Sequence, residues 1–199
     1  MCVFKCIKKF PVLGTILHIT NSYVYNGDAR SSEEFAPLSK WGRKFAFKFF
    51  IVFLCLAAMF KNEIWLACTF NFYDFGLVSV NTYSPGERII SIFPSLIGFG
   101  IGVYALLISI SDSIVKELQE NIEKSSINSG SALMLSSDLA FPLLVLILTL
   151  IVGVVQVSFD RVPFFILLAW FMIWYSFIVI IEMLGVLFGI TNNSLLDKL

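Results

Sequence analysis

Charge is what this sequence has least of. Asp, Glu, Lys and Arg make up 14% of it and cancel to a net charge of zero. Soluble domains carry about 25% charged residues. Histidine occurs once, as His18. One imidazole with no cysteine or carboxylate at ligand spacing does not make a zinc site. No metal or cofactor is expected. The four cysteines, Cys2, Cys6, Cys55 and Cys68, form no CxxC pair. That excludes membrane enzymes that generate disulfides through paired cysteines. Cys2 and Cys6 stand beside lysines and are either plain thiols or acylation sites. H-E-x-x-H, G-x-S-x-G, a Walker A loop and paired catalytic carboxylates are all missing. Gly98-Phe-Gly-Ile-Gly102 has the glycines of a dinucleotide loop but neither its spacing nor its setting. We expect no catalysis, and a membrane-embedded enzyme survives only as a remainder. The charge balance also excludes nucleic-acid binding through bulk positive charge.

Apolar residues are abundant instead, at 58%, and the mean hydropathy is +0.86. An integral membrane protein is implied, all-α and polytopic. A helix crosses roughly 30 Å of hydrocarbon with about 20 apolar residues. Four spans are expected, at about 43–60, 89–111, 139–159 and 163–190. The first is the shortest and holds Lys48, which we expect to snorkel with Lys44 and Arg43. Trp41 serves it as an interfacial anchor. Met1–Thr20 is too short to span and lacks a cleavage site. It should lie on the membrane or against the bundle.

Residues 1–44 thus form an N-terminal arm, with Asn26–Lys40 as loop, and 45–190 the membrane domain. Residues 61–87 form an external segment dense in aromatics, either an interfacial lid or a sensor of something outside. Residues 112–132 form a cytoplasmic hairpin and 191–199 a tail. Eleven Lys and Arg fall on the side of both termini and three on the other. The positive-inside rule makes both termini cytoplasmic. Asp160-Arg161-Val162 is a very short connection, so the last two spans should form an antiparallel hairpin starting the fourth span at Pro163.

Three faces carry the functional candidates. Ser95, Gly98, Gly102, Ala105 and Ser109 form a small-residue stripe on the second span. It suits close helix packing, either inside one bundle or between protomers of a homo-oligomer. Asp138, Pro142, Thr149, Gly153 and Gln156 form a polar face on the third span. Such a face must meet another helix or water. Asp138 could cap the helix with Ser137, and Thr149 and Gln156 could bond across helices. If protomers ring an axis, the face could line a pore. On the fourth span Glu182 falls near the cytoplasmic boundary, either solvated or paired with Lys48. Beyond the second span Ile114, Leu118 and Ile122 make an amphipathic helix. Glu117, Glu120 and Glu123 give it an acidic face, a candidate dock for a basic cytoplasmic partner.

The stretch Phe93-Pro-Ser-Leu-Ile-Gly-Phe-Gly-Ile-Gly-Val-Tyr-Ala-Leu-Leu, running on to Ser109 and Asp112, resembles a family of small four-span bacterial proteins. These are the membrane subunits of anti-phage defence systems of the Kiwa type. The resemblance implies an oligomeric inner-membrane sensor that signals to a cytoplasmic, DNA-binding effector. The rival from the residues alone is an ion channel or membrane-permeabilising effector lined by the third span. Reporter fusions test the topology: one at Leu199 and one within 71–75 should read opposite compartments. The same readout at both would refute the span count.

Overall fold

The computed structural model describes residues 10–61, 84–108, 133–159 and 162–196. Every regular element among them is helical. In chain order these are α1 (Pro11–Val24), a 3-10 turn (Ala29–Ser32), α2 (Leu38–Met59), α3 (Pro85–Ile108), α4 (Leu133–Ser158) and α5 (Pro163–Leu196). Most of the aromatic segment expected to be external (61–87) and all of the hairpin expected to be cytoplasmic (112–132), with Ser109, Glu117, Glu120 and Glu123, lie outside the described residues.

Three helices are long and apolar enough to cross a membrane: α3 over Pro85–Leu106, α4 over Ser136–Ser158 and α5 over Pro163–Gly189. They correspond to the second, third and fourth expected spans. The helix of the first expected span, α2, is 22 residues long. Lys40, Arg43, Lys44 and Lys48 in its first half keep it out of that group. Apolar side chains point outward along all four helices. Phe50 and Phe53 on α2, Phe99 and Leu106 on α3, Ile151 on α4 and Phe188 on α5 are each more than half exposed. Water-soluble monomers rarely present apolar patches beyond a few hundred Å².

The helix ends depart from the hydropathy boundaries where polar residues join a helix. Helix α3 starts at Pro85, four residues before the apolar run, behind Ser84 and ahead of Glu87. Serine, a proline at the first helical position and a glutamate in the first turn are helix-start chemistry. Helix α4 starts at Leu133, six residues early, so Asp138 lies inside the helix. It is not the cap suggested by its place beside Ser137. Helix α5 begins at Pro163, as expected, and runs on to Leu196.

The chain divides into two compact units. One comprises Met1–Lys44, Phe99–Leu144 and Ile180–Leu199; the other comprises Phe45–Gly98 and Val145–Val179. In the first, the arm is more structured than its polar sequence suggested. The 3-10 turn interrupts the expected loop, and α2 begins before that loop should end. In the second, α4 and α5 form a hairpin. The Val162 amide donates to the Phe159 carbonyl at 3.2 Å. The Phe159 and Phe165 rings are 5.3 Å apart. Further along, Thr149 of α4 and Ser176 of α5 meet at 2.7 Å. Phe49 of α2 contacts Phe171 and Tyr175 of α5, with ring centroids 5.8 and 5.6 Å away. Lys48 is buried in this unit, 9% exposed, with its ammonium 6.0 Å from the Phe45 ring centroid. Its stem is covered by neighbours and its charge has a ring face within reach.

Helices α3 and α4 approach most closely at Gly86 and Gly153. A Cβ on Gly86 would lie 2.6 Å from the Gly153 carbonyl oxygen, and one on Gly153 would lie 2.6 Å from Ile89. By contrast, a Cβ on Gly98 meets nothing within 4 Å. This pair gives a matched test. Gly86→Ala should lower stability in detergent by about 1–3 kcal/mol, the range for overpacking. Gly98→Ala should leave it unchanged or slightly raised. Equal thermal shifts for the two would refute this packing.

Candidate functional site

The site is built from the last turn of α1. Helix α1 ends in a left-handed residue, Asn26, with φ 53°. The Gly27 amide donates back to the Ser22 carbonyl at 2.9 Å and the Asn26 amide to the Tyr23 carbonyl at 3.2 Å. This is a Schellman closure, which satisfies carbonyls that a helix end otherwise orphans. Gly27 also has positive φ, 71°, the conformation glycine adopts without steric cost. Asn21, fully buried, organises the chain that follows. Its Nδ2 donates to the carbonyls of Ser31 and Glu34, each at 2.8 Å. Its Oδ1 accepts from the Ala36 amide at 2.9 Å. One amide side chain thereby holds three backbone groups of the returning loop.

Asp28 caps the 3-10 turn by accepting from the Arg30 amide at 3.0 Å. The Arg30 guanidinium pairs with the same carboxylate at 2.7 Å. Hydrogen bonds from Arg30 hold the Asp28 carboxyl below its usual range. The contribution of this depressed group to stability is present above the ordinary carboxyl pKa. It is lost as pH falls through the folded value. The pair is solvent-exposed on the arginine side, so the effect is small.

Tyr23 is the hub. It is 1% exposed. Its hydroxyl donates to Glu182 Oε2 on α5 at 2.7 Å. Its ring stacks on Phe141 of α4, centroids 4.0 Å apart and planes 9° from parallel. The Lys44 ammonium sits 4.4 Å from the centroid of the same ring, and Lys40 stands equally close to Tyr25. One side chain of the arm thus touches α2, α4 and α5, all within the first unit. Glu182 was expected to be solvated or paired with Lys48, and a tyrosine hydroxyl from the arm serves it. Charge-assisted hydrogen bonds are short and about twice as strong as neutral ones.

The polar face of α4 turns inward. Thr149 and Gln156 are buried, and Asp138 is half-buried. Thr149 donates to its own Val145 carbonyl and shares a hydrogen bond with Ser176 of α5. Gln156 Oε1 accepts from the Gly86 amide at 2.7 Å and the Ser84 hydroxyl at 3.2 Å. The Gly86 amide is in the first turn of α3, where no intrahelical acceptor exists. Gln156 therefore caps a neighbouring helix from across the interface. Thr149 and Gln156 of the polar face thus bond to neighbouring helices.

The stripe on α3 does the opposite. Ser95, Gly98, Gly102 and Ala105 are all exposed, and a Cβ at Gly98 or Gly102 meets open space. The close contacts of α3 come from Gly86 and from Gly100, whose Cβ would meet Leu143. Sequence reasoning passed over Asn21, Tyr23 and Gly86. The Asn-x-Tyr before Asn26-Gly27 was a helix-end signal. The Ser84-Pro-Gly-Glu87 run was a helix-start signal.

Tyr23→Phe removes one hydroxyl and keeps the stack. It should cost about 0.6–2 kcal/mol in detergent unfolding. Tyr23→Ala should cost about 3–5 kcal/mol and speed tryptic cleavage at the exposed Arg30. Unchanged proteolysis of Tyr23→Ala would refute the role of Tyr23 in holding the arm.

Compared with protein-family models, curated proteins and solved structures, the chain gives no match.

Proposed function

We propose that this chain is a four-span inner-membrane protein with both termini in the cytoplasm. It acts as an oligomeric, non-enzymatic subunit that senses membrane disturbance and signals to a cytoplasmic partner. The observation that carries this reading is the Tyr23 junction. A displacement of α5 against α4 changes the geometry at Glu182 and Phe141 together, and Tyr23 belongs to the arm. Coupling through a buried contact with two discrete arrangements is how small shifts become signals. Helix α2 serves as the first span: 22 residues at 1.5 Å each give about 33 Å, and Phe47, Phe50, Phe53 and Leu54 are exposed for lipid. Its basic first half belongs on the cytoplasmic side.

The oligomer rests on the exposed small-residue face of α3, which a second copy covers at close backbone approach. The resemblance of the Phe93–Leu107 stretch to defence-system membrane subunits supports an anti-phage role, with a DNA-binding effector as the partner. The acidic face at Glu117, Glu120 and Glu123 is its proposed dock. The test is co-purification with the product of the adjacent gene, followed by native mass spectrometry. Wild type should appear as a multimer that carries the soluble partner. Gly102→Leu should shrink the assembly. Lys at positions 117, 120 and 123 together should leave the assembly intact and release the partner. A monomeric wild type without a bound soluble protein would overturn the proposal.

A further inference from the structure

The chain contains one Asn-Gly pair, Asn26-Gly27. In an unconstrained chain this dipeptide is prone to deamidation, because glycine lets the backbone nitrogen that follows asparagine swing onto the side chain. Here the pair closes the end of α1. Asn26 is exposed and Gly27 is buried.

The reaction needs only water. The Gly27 backbone nitrogen gives up its proton and attacks Cγ of Asn26. A new C–N bond closes a succinimide ring, and the side-chain nitrogen leaves as ammonia. Water then opens the ring at either carbonyl. The product is aspartate, or isoaspartate with the main chain rerouted through the side-chain carbons. One water is consumed and one ammonia is released.

The folded turn withholds the nucleophile. The Gly27 amide donates to the Ser22 carbonyl at 2.9 Å, and attack by that nitrogen necessarily breaks this bond. The amides on either side are held as well. Asn26 donates to the Tyr23 carbonyl at 3.2 Å and Asp28 to the Tyr25 carbonyl at 3.3 Å. The carbonyls they use belong to the turn that carries Tyr23. That turn is anchored by the Tyr23 hydroxyl on Glu182 and by the stack on Phe141. Undocking Tyr23 therefore loosens the bonds that keep Gly27 unreactive.

We infer that Asn26 is a deamidation site gated by the arm. It is closed while the last turn of α1 is docked and reactive when that turn opens. The product acts back on the arm. It puts a negative charge at the C-terminal end of α1, where the helix dipole disfavours one. An arm that has once reacted redocks less firmly. The inference does not depend on the sensing role.

The experiment holds the full-length protein in detergent near neutral pH for several days. Conversion of Asn26 is then read by mass spectrometry of the tryptic peptide 10–30. Chemistry this slow tracks the open fraction of the turn. Native wild type should convert at least roughly tenfold more slowly than the same protein unfolded in denaturant. Tyr23→Phe keeps the stack and loses the anchoring hydroxyl, so its native rate should rise about threefold or more. Asn26→Gln closes the ring far more slowly and should abolish the signal. Asn26→Asp supplies the product charge and should speed tryptic cleavage at Arg30 about two- to fivefold. Equal rates for native and unfolded wild type overturn the gate, and so does an unchanged rate in Tyr23→Phe. A signal that persists in Asn26→Gln places the reaction at Asn21 and overturns the assignment. Unchanged cleavage of Asn26→Asp overturns the action on the arm.

Discussion

The hydrogen bond from Tyr23 to Glu182 is the contact on which the first unit depends. A carboxylate near the end of a membrane-crossing helix is costly to leave half-buried without a donor. Tyr23 supplies one at 2.7 Å. Its ring is then committed to Phe141 on one face and within reach of Lys44. None of these contacts forms unless α1 ends where it does. The Schellman closure at Asn26 and Gly27 and the three bonds of Asn21 are therefore part of the same arrangement. They turn the chain back so that α2 starts beside the residue that binds α5. A polar arm attached to an apolar bundle would otherwise have little to hold it.

The second unit solves a different problem. Lipid offers no hydrophobic drive for helices to associate, so packing and interhelical hydrogen bonds must do it. Gly86 and Gly153 let two backbones meet. Gln156 bonds the amide that this approach brings forward. Thr149 and Ser176 bond α4 to α5 deeper in the same unit. Gln156 is matched to an amide with no acceptor in its own helix, and Thr149 to a hydroxyl of the neighbouring helix. The exposed small residues of α3 stand beside exposed Phe99, Ile101 and Leu106, and α2, α4 and α5 also expose bulky apolar side chains.

A cleft in the first unit, with Ser31, Ser32, Ser136 and Ser137 in its lining, depends on both the arm and the helix ends. Serines of the 3-10 turn come into it because Asn21 draws residues 31–36 inward. Serines of α4 come into it because that helix begins at Leu133, ahead of its apolar stretch.

The sequence by itself determined the class of this protein. Scarce charge and long apolar runs demand helices that bond their own backbone, because lipid cannot. The periodicity of Thr149, Gly153 and Gln156 determined that one face of α4 seeks partners. Pro163 and the three residues before it determined the hairpin. What the sequence could not give was the identity of any partner. A 3.6-residue period names a face but not its neighbour. The stripe on α3 was equally suited to the inside and the outside of a bundle, and it was the tertiary structure that gave the close approach to Gly86. Lys48 carried the pattern of a snorkelling side chain, and the tertiary structure buried it. Tyr23 and Glu182 are separated by 159 residues. Nothing local in either marks the other, because the bond depends on where two helices end in space.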